Sequence, residues 1–237
     1  MKTLSVLILS IFLLSSCNSG SCSDESAKDC SKTDKELKDK KSKKDKACGD
    51  ASKSATYTIS GVGDIAPDFS LKNVDGEYIS FSSYPEAKGF VVIFSCNHCP
   101  YVVAYEDRMI ELHNKYAPKG YPVIAINPND PEIAPEDSFE KMQVRAKEKN
   151  FPFAYVVDKK QKVYPKYGAT RTPHVFIVNK EEEGNVVRYI GAIDNNYEDA
   201  SAVTETYVKD ALNALLAGEE ITVTSTVAIG CTIKAKK

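Results

Sequence analysis

Cys96-Asn97-His98-Cys99 places two thiols three residues apart, directly after the apolar run Phe90-Val91-Val92-Ile93-Phe94 and before a long helical pattern. A cysteine pair at a strand-to-helix junction is suited to thiol–disulfide exchange. A helix N-terminus presents free amide N–H groups and the positive end of its dipole, and both stabilise a thiolate. The thiolate is the species that attacks a disulfide. Two other chemistries compete. A zinc site needs about four ligands, yet no second CxxC and no HxxxH accompanies the motif. A static structural disulfide rarely closes so tight a loop. Redox exchange is therefore the expected chemistry, with Cys96 nearer the helix-start amides and Cys99 one turn inward.

His98 stands just before the second cysteine. An imidazole there can support a Cys96 thiolate and make the disulfide more oxidising; the bland alternative is an exposed histidine at a helix start. Pro100 is tolerated at an early helix position, where its missing N–H costs little.

The elements that must hold these residues follow from hydrophobic period. Residues 68–71 and 77–81 alternate around Asp75-Gly76 and predict a hairpin. Residues 89–95 predict a buried central strand. Residues 101–116 predict a helix with Val102, Tyr105, Met109, Leu112 and Tyr116 on its apolar face. A second buried strand is expected over 121–126, a charged surface helix over 137–149, and a strand over 153–157. Residues 175–178 and 185–193 predict an antiparallel pair around Glu183-Gly184, and 199–217 an amphipathic helix bearing Val203, Tyr207, Ala211, Leu212 and Leu215. Residues 221–233 look strand-like. Alternation of strand and helix patterns predicts an α/β protein with a central sheet flanked by helices.

The chain of 237 residues is 42% hydrophobic, enough for one domain with a proper core plus extensions. Its net charge of −2 gives no reason to propose nucleic acid as a partner. Residues 1–17 are expected to be an export signal: Met1-Lys2 is a short basic start, residues 4–14 are apolar, and Leu14-Ser15-Ser16-Cys17 is a small-residue processing site. The apolar run is short for a transmembrane helix. This segment resembles a bacterial lipoprotein signal, which implies lipidation at Cys17; a plain secretory signal is the alternative. Residues 18–55 mix Lys, Asp and Ser with Leu37 as the only large aliphatic side chain, and read as a disordered charged tether. Cys22, Cys30 and Cys48 within it read as incidental or loosely paired, an auxiliary relay being the sharper alternative. The domain is expected over 56–237, exported and anchored to the cell envelope, where disulfide chemistry is allowed.

A central strand, a CxxC at a helix start and Thr172-Pro173 before a later strand together resemble the thioredoxin fold. Gly63-Asp64-Ile65-Ala66-Pro67-Asp68-Phe69 with Asp75-Gly76 resembles the redoxin branch of the alkyl hydroperoxide reductase/thiol-specific antioxidant (AhpC/TSA) superfamily, over residues 60–218. The segment from Phe94 to Val102, with a Gly-Cys-Thr-Ile-Lys ending, is similar to a redoxin subgroup carrying both features. The resemblance implies that Cys96 attacks and is exposed, that Cys99 is buried and resolves the mixed disulfide, and that Pro173 is cis, with the Thr172 backbone pairing to an extended substrate. No cofactor or metal is expected. Its partners would be exported thiol or disulfide proteins, an electron donor or acceptor, and the membrane through the lipid anchor.

One departure stands out. Reducing thioredoxins have a buried Asp six residues before the first cysteine, and this chain has Phe90. The proton acceptor for Cys99 is then unassigned; Glu106 is a weak candidate that reads first as a solvated helix carboxylate. Cys231 reads as a small packed side chain or as a third redox thiol, and His113 as a surface residue.

Two other functions carry over from resemblances. Cys99-Pro100 lines up with the peroxidatic Cys-Pro of peroxiredoxins, and Arg171 lies where their activating Arg falls. The hydroxyl residue three positions earlier is, however, replaced by Cys96, which removes a placed donor. A copper-binding module could use Cys96, Cys99 and His174, although redoxin-like copper chaperones have a wider cysteine spacing.

Overall fold

In the computed structural model, residues 58–236 are described. The expected signal with Cys17 and the tether with Cys22, Cys30 and Cys48 lie outside these residues.

The strands are β1 (Leu71–Asn73), β2 (Tyr78–Ile79), β3 (Gly89–Phe94), β4 (Val123–Asn127), β5 (Ala154–Val157), β6 (Arg171–Thr172), β7 (His174–Glu181), β8 (Gly184–Gly191) and β9 (Cys231–Thr232). The helices are α1 (Pro100–Tyr116), α2 (Phe139–Lys149), α3 (Tyr164–Tyr167) and α4 (Tyr207–Ala217). Seven strands form one mixed sheet in the order β2-β1-β5-β4-β3-β7-β8, and β6 pairs with β9 in a second, two-stranded sheet. Strand β3 runs parallel to β4 and antiparallel to β7, so it lies well inside the sheet.

All six residues of β3 are buried because both sheet faces are covered. Val91 and Ile93 point into a core with Tyr105, Met109 and Leu112 of α1, Met142 of α2 and Val208, Ala211 and Leu212 of α4. Phe90, Val92 and Phe94 point the other way, toward Phe69, Phe81 and Tyr167. Phe90 stacks on Phe81 with ring centroids 4.4 Å apart, so an aromatic layer fills the position where reducing thioredoxins carry their acid.

The hairpin around Asp75-Gly76 forms, with Leu71 opposite Ile79. Its first strand starts at Leu71 because Asp68 Oδ1 ties down the amides of Phe69 and Phe81 instead of extending the ladder. Two expected elements shorten. The helix expected over 199–217 begins at Tyr207; upstream, Asp199 accepts from Ser201 N and Asn195 Oδ1 accepts from Thr204 N and Glu205 N. Such side-chain-to-backbone bonds compete with helix formation. The C-terminal tail is strand only at Cys231–Thr232. Before that it runs along the edge of β8, with Ile190 N donating to Thr224 O and Thr226 N to Ile190 O. His113 is half-buried and not a free surface residue: its Nδ1 accepts from Val123 N at 3.3 Å.

Candidate active site

The C-terminal ends of β3 and β4 lie side by side because the strands are parallel, and Ser95 N donates to Ile126 O to keep them together past the strand end. The chain then turns through Cys96-Asn97-His98, and α1 begins at Pro100 with Cys99 as its N-cap residue. The second cysteine, not the first, therefore stands at the head of the helix. Cys96 and Cys99 are 2% and 0% exposed, so the exposure expected of Cys96 is absent. Tyr101, Val102 and Cys231 pack on the pair.

The Thr172–Pro173 peptide bond is cis. Its loop touches both thiols: Thr172 Oγ1 is 3.3 Å from Cys96 Sγ, and Thr172 O is 3.1 Å from Cys99 Sγ. The backbone edge that the resemblance reserves for a substrate is occupied by the chain itself, since Thr172 pairs with Cys231 of β9. That pairing sets Cys231 Sγ 2.6 Å from Cys99 Sγ.

The surroundings favour a thiolate at Cys99 more than at Cys96. Cys99 is held well below the ordinary thiol value, first by the hydrogen bond from the Cys96 thiol and then, against burial, by the Cys231 thiol and the amides of Val102 and Cys231. One acceptor opposes these donors: Thr172 O takes the Cys99 S–H only while the proton is present. Cys96 is pushed up, first by donating to Cys99, then by burial and by the Asp137 carboxylate. Cys231 is also raised, by burial and then by its contact with Cys99. Cys99 thus has the neighbours that favour a thiolate, whereas Cys96 faces the Asp137 carboxylate.

Asp137 is the functional residue that sequence reasoning missed, having been placed in a charged surface helix. It ends a 3₁₀ turn before α2 and is 1% exposed. Its carboxylate accepts from Asn97 N at 2.8 Å and Asn129 Nδ2 at 2.6 Å, and pairs with His98 Nδ1 at 2.9 Å. Asn97 also donates to Glu136 O and accepts from Tyr155 Oη, which fixes the CxxC loop from a second side. The available signal was position: residues after β4 fall at the carboxyl end of the sheet, where α/β proteins build their sites.

Removing this anion has a signed consequence. At an effective dielectric of about 20, a carboxylate within 4.8 Å disfavours a thiolate by about 3 kcal/mol, and the His98 pair offsets part of it. Asp137→Asn is therefore expected to lower the Cys96 pKa and speed alkylation of Cys96 at neutral pH on the order of tenfold. Fragment-resolved mass spectrometry of iodoacetamide labelling reads this; an unchanged rate at Cys96 would take Asp137 out of its electrostatics.

Other expected residues go elsewhere. Glu106 is not solvated: it is 1% exposed and paired through both oxygens to Arg145 at 2.7 and 2.6 Å. Its carboxylate is committed to that pair, so it does not serve as the free proton acceptor for Cys99. Arg171 is exposed, and its guanidinium donates to Gly230 O at 3.0 Å, bracing the C-terminal strand. His174 is buried against Phe176, and its Nδ1 accepts from Thr170 N. The copper set Cys96, Cys99 and His174 does not assemble; among the described residues the ligating side chains that converge are Cys96, His98 and Asp137.

Comparison with known proteins agrees with this architecture. Residues 62–190 match the AhpC/TSA family. The chain is 27% identical over 134 residues to the thiol-disulfide oxidoreductase ResA of Halalkalibacterium halodurans, covering 56% of this chain and 70% of that protein. An uncharacterized conserved protein from Geobacillus kaustophilus superposes with a TM-score of 0.69 at 36% identity, over 75% of this chain and 94% of the other. A hypothetical protein from Sinorhizobium meliloti 1021 gives a TM-score of 0.69 at 29% identity, over 76% and 97%. With its mixed sheet, its CxxC at the head of a helix and its cis-proline loop, the chain belongs to the AhpC/TSA family and is a thioredoxin-like redoxin with the oxidoreductase chemistry of thiols and disulfides.

Proposed function

We propose that this protein is an envelope-anchored thiol–disulfide oxidoreductase that exchanges disulfides with exported proteins. The observation that carries the reading is the placement of Cys96 and Cys99 together against the cis Thr172–Pro173 loop. Anchoring and export rest on the sequence of residues 1–17.

In the reducing direction, Cys96 must lose its proton before it attacks. Two candidate acceptors stand beside it: Cys99, and His98, whose Nδ1 is held by Asp137. The Cys96 thiolate forms a bond to one sulfur of a substrate disulfide and releases the other as a thiolate. Cys99, ionised again, then attacks Cys96 and frees the reduced substrate, leaving a Cys96–Cys99 disulfide. In the oxidising direction the same steps run backwards.

Cys99→Ser removes the resolving sulfur, so the full-length variant is expected to accumulate mixed disulfides through Cys96 that dithiothreitol releases. Recovery of unlinked protein alone from the cell envelope would overturn the reading.

The position of Cys99 at the head of α1, directly before Pro100, supports a second reading, a thiol-dependent peroxidase. There Cys99 attacks the hydroperoxide oxygen and becomes a sulfenic acid as the alcohol leaves, and Cys96 condenses with it to release water. Hydroperoxide consumption with a dithiol donor, above the rate of free thiol chemistry and lost in Cys99→Ser, would shift the assignment to this reading.

A further inference from the structure

Cys231 is brought to the site by a C-terminal segment held at several points. Gly230 sits so close to the cis-proline loop that a Cβ there would lie 2.2 Å from Thr172 O and 3.0 Å from Pro173 N. Thr172 pairs with Cys231, Ile233 N donates to Thr170 O, and Lys234 N donates to Asn129 Oδ1 at 2.8 Å. Lys234 O in turn accepts from Asp130 N and from Gln161 Nε2. These bonds hold the last strand on the face where a substrate backbone would pair. A cysteine that merely packs as a small apolar group has no need of thiol neighbours; Cys231 shares its cluster with Cys96, Cys99, Tyr101 and Val102 and touches Cys99 sulfur to sulfur.

We propose that Cys231 is a third redox thiol, and that Cys99 is the pivot that exchanges its disulfide partner between Cys96 and Cys231. The proposal rests on the thiol–disulfide reading above. The step is balanced within the chain. After turnover leaves a Cys96–Cys99 disulfide, the Cys231 thiolate attacks Cys99 Sγ; the Cys99–Cys231 bond forms, the Cys96–Cys99 bond breaks, and Cys96 leaves as a thiolate that takes up the proton Cys231 gave up. No external oxidant or reductant is consumed. The oxidising equivalent moves away from Cys96 to a sulfur on the C-terminal strand. Cys231 is half-buried where Cys96 and Cys99 are buried, so it is the sulfur of the three most open to the dithiol of a second redox partner. Cys96 is meanwhile returned to its reduced form.

Peptide mapping of the full-length protein separates the possibilities. Trypsin leaves Cys96 and Cys99 together in residues 89–108 and Cys231 in residues 210–234, away from the tether cysteines. After equilibration in a glutathione redox buffer, acid quenching and N-ethylmaleimide labelling, the wild type is expected to yield a cross-link between these two peptides. Cys96→Ser should retain that cross-link. Gly230→Ala, whose methyl must push β9 away from Thr172, should reduce it at least tenfold while the internal Cys96–Cys99 disulfide persists. If wild type and Cys96→Ser both leave Cys231 fully labelled while the wild type forms Cys96–Cys99, the third-thiol role is overturned and the thiol–disulfide reading stands. If neither disulfide forms at any buffer ratio, both are overturned.

Discussion

Arg108→Met destabilises the folded domain by about 3–5 kcal/mol, the expected result of stranding a buried carboxylate. The Arg108 and Asp194 side chains are 9% and 6% exposed, and Arg108 Nη1 lies 3.0 and 2.8 Å from the two Asp194 oxygens. The same guanidinium donates to the carbonyls of Ala104, Asn196 and Tyr197, and lies 4.0 Å from the Tyr105 ring centroid. Methionine keeps much of the volume and removes every donor. Asp194 then retains only the Tyr105 hydroxyl and the Asn196 amide. For a domain of this size the melting temperature should fall by roughly 10 °C. Urea denaturation with unchanged slope and a lower midpoint is the signature; a loss under 1 kcal/mol would mean that Asp194 finds solvent when its partner is gone. The pair clips α1, which has Cys99 at its head, to the loop before α4, so the variant also tests how far the site depends on that clip.

Acid should weaken the fold through His174. Burial, and then the positive charge of Arg171, lower this imidazole from 6.5 to about 4. Thr170 N donates to its Nδ1, a bond that only the neutral ring accepts there. The sign follows from proton uptake. Above pH 6.5 His174 is neutral in both folded and unfolded chains and has no effect. Between pH 6.5 and 4 the unfolded chain binds a proton that the folded chain refuses, so stability falls as pH falls, by about 3 kcal/mol at the lower limit. His174→Gln keeps an acceptor for Thr170 N and does not titrate. Its stability difference from wild type, measured by urea titration at pH 7 and pH 4.5, should shift in favour of the variant at the lower pH. Equal pH slopes for the two proteins would remove His174 as the cause.

Much of the scaffold was legible because local pattern and global fold agree. The unbroken apolar run of β3 has a single physical solution, a strand covered on both faces. The 3.6-residue spacing of Val102, Tyr105, Met109, Leu112 and Tyr116 leads to a helix on which all five are buried, with Glu106 and Arg108 buried beside them. Local pattern and fold part where side chains compete with backbone. Asn195 and Asp199 hold their neighbours out of α4, and Asp137 turns inward from a segment whose composition is that of a solvated face. Glu106 departs in the same way: its partner, Arg145, is 39 residues away on another helix, beyond the reach of any periodicity.

By itself the sequence determined that two thiols stand at a strand-to-helix junction opposite a Thr-Pro loop, in a redoxin fold. Only the tertiary structure decided which groups surround each sulfur. That depends on where the helix begins, on a buried carboxylate from another loop, and on a third thiol 132 residues along the chain. A thiol's ionisation is set by the donors, anions and burial within a few ångströms of it, and those neighbours are assembled by packing. Local spacing names the sulfurs; the packed neighbourhood assigns their roles.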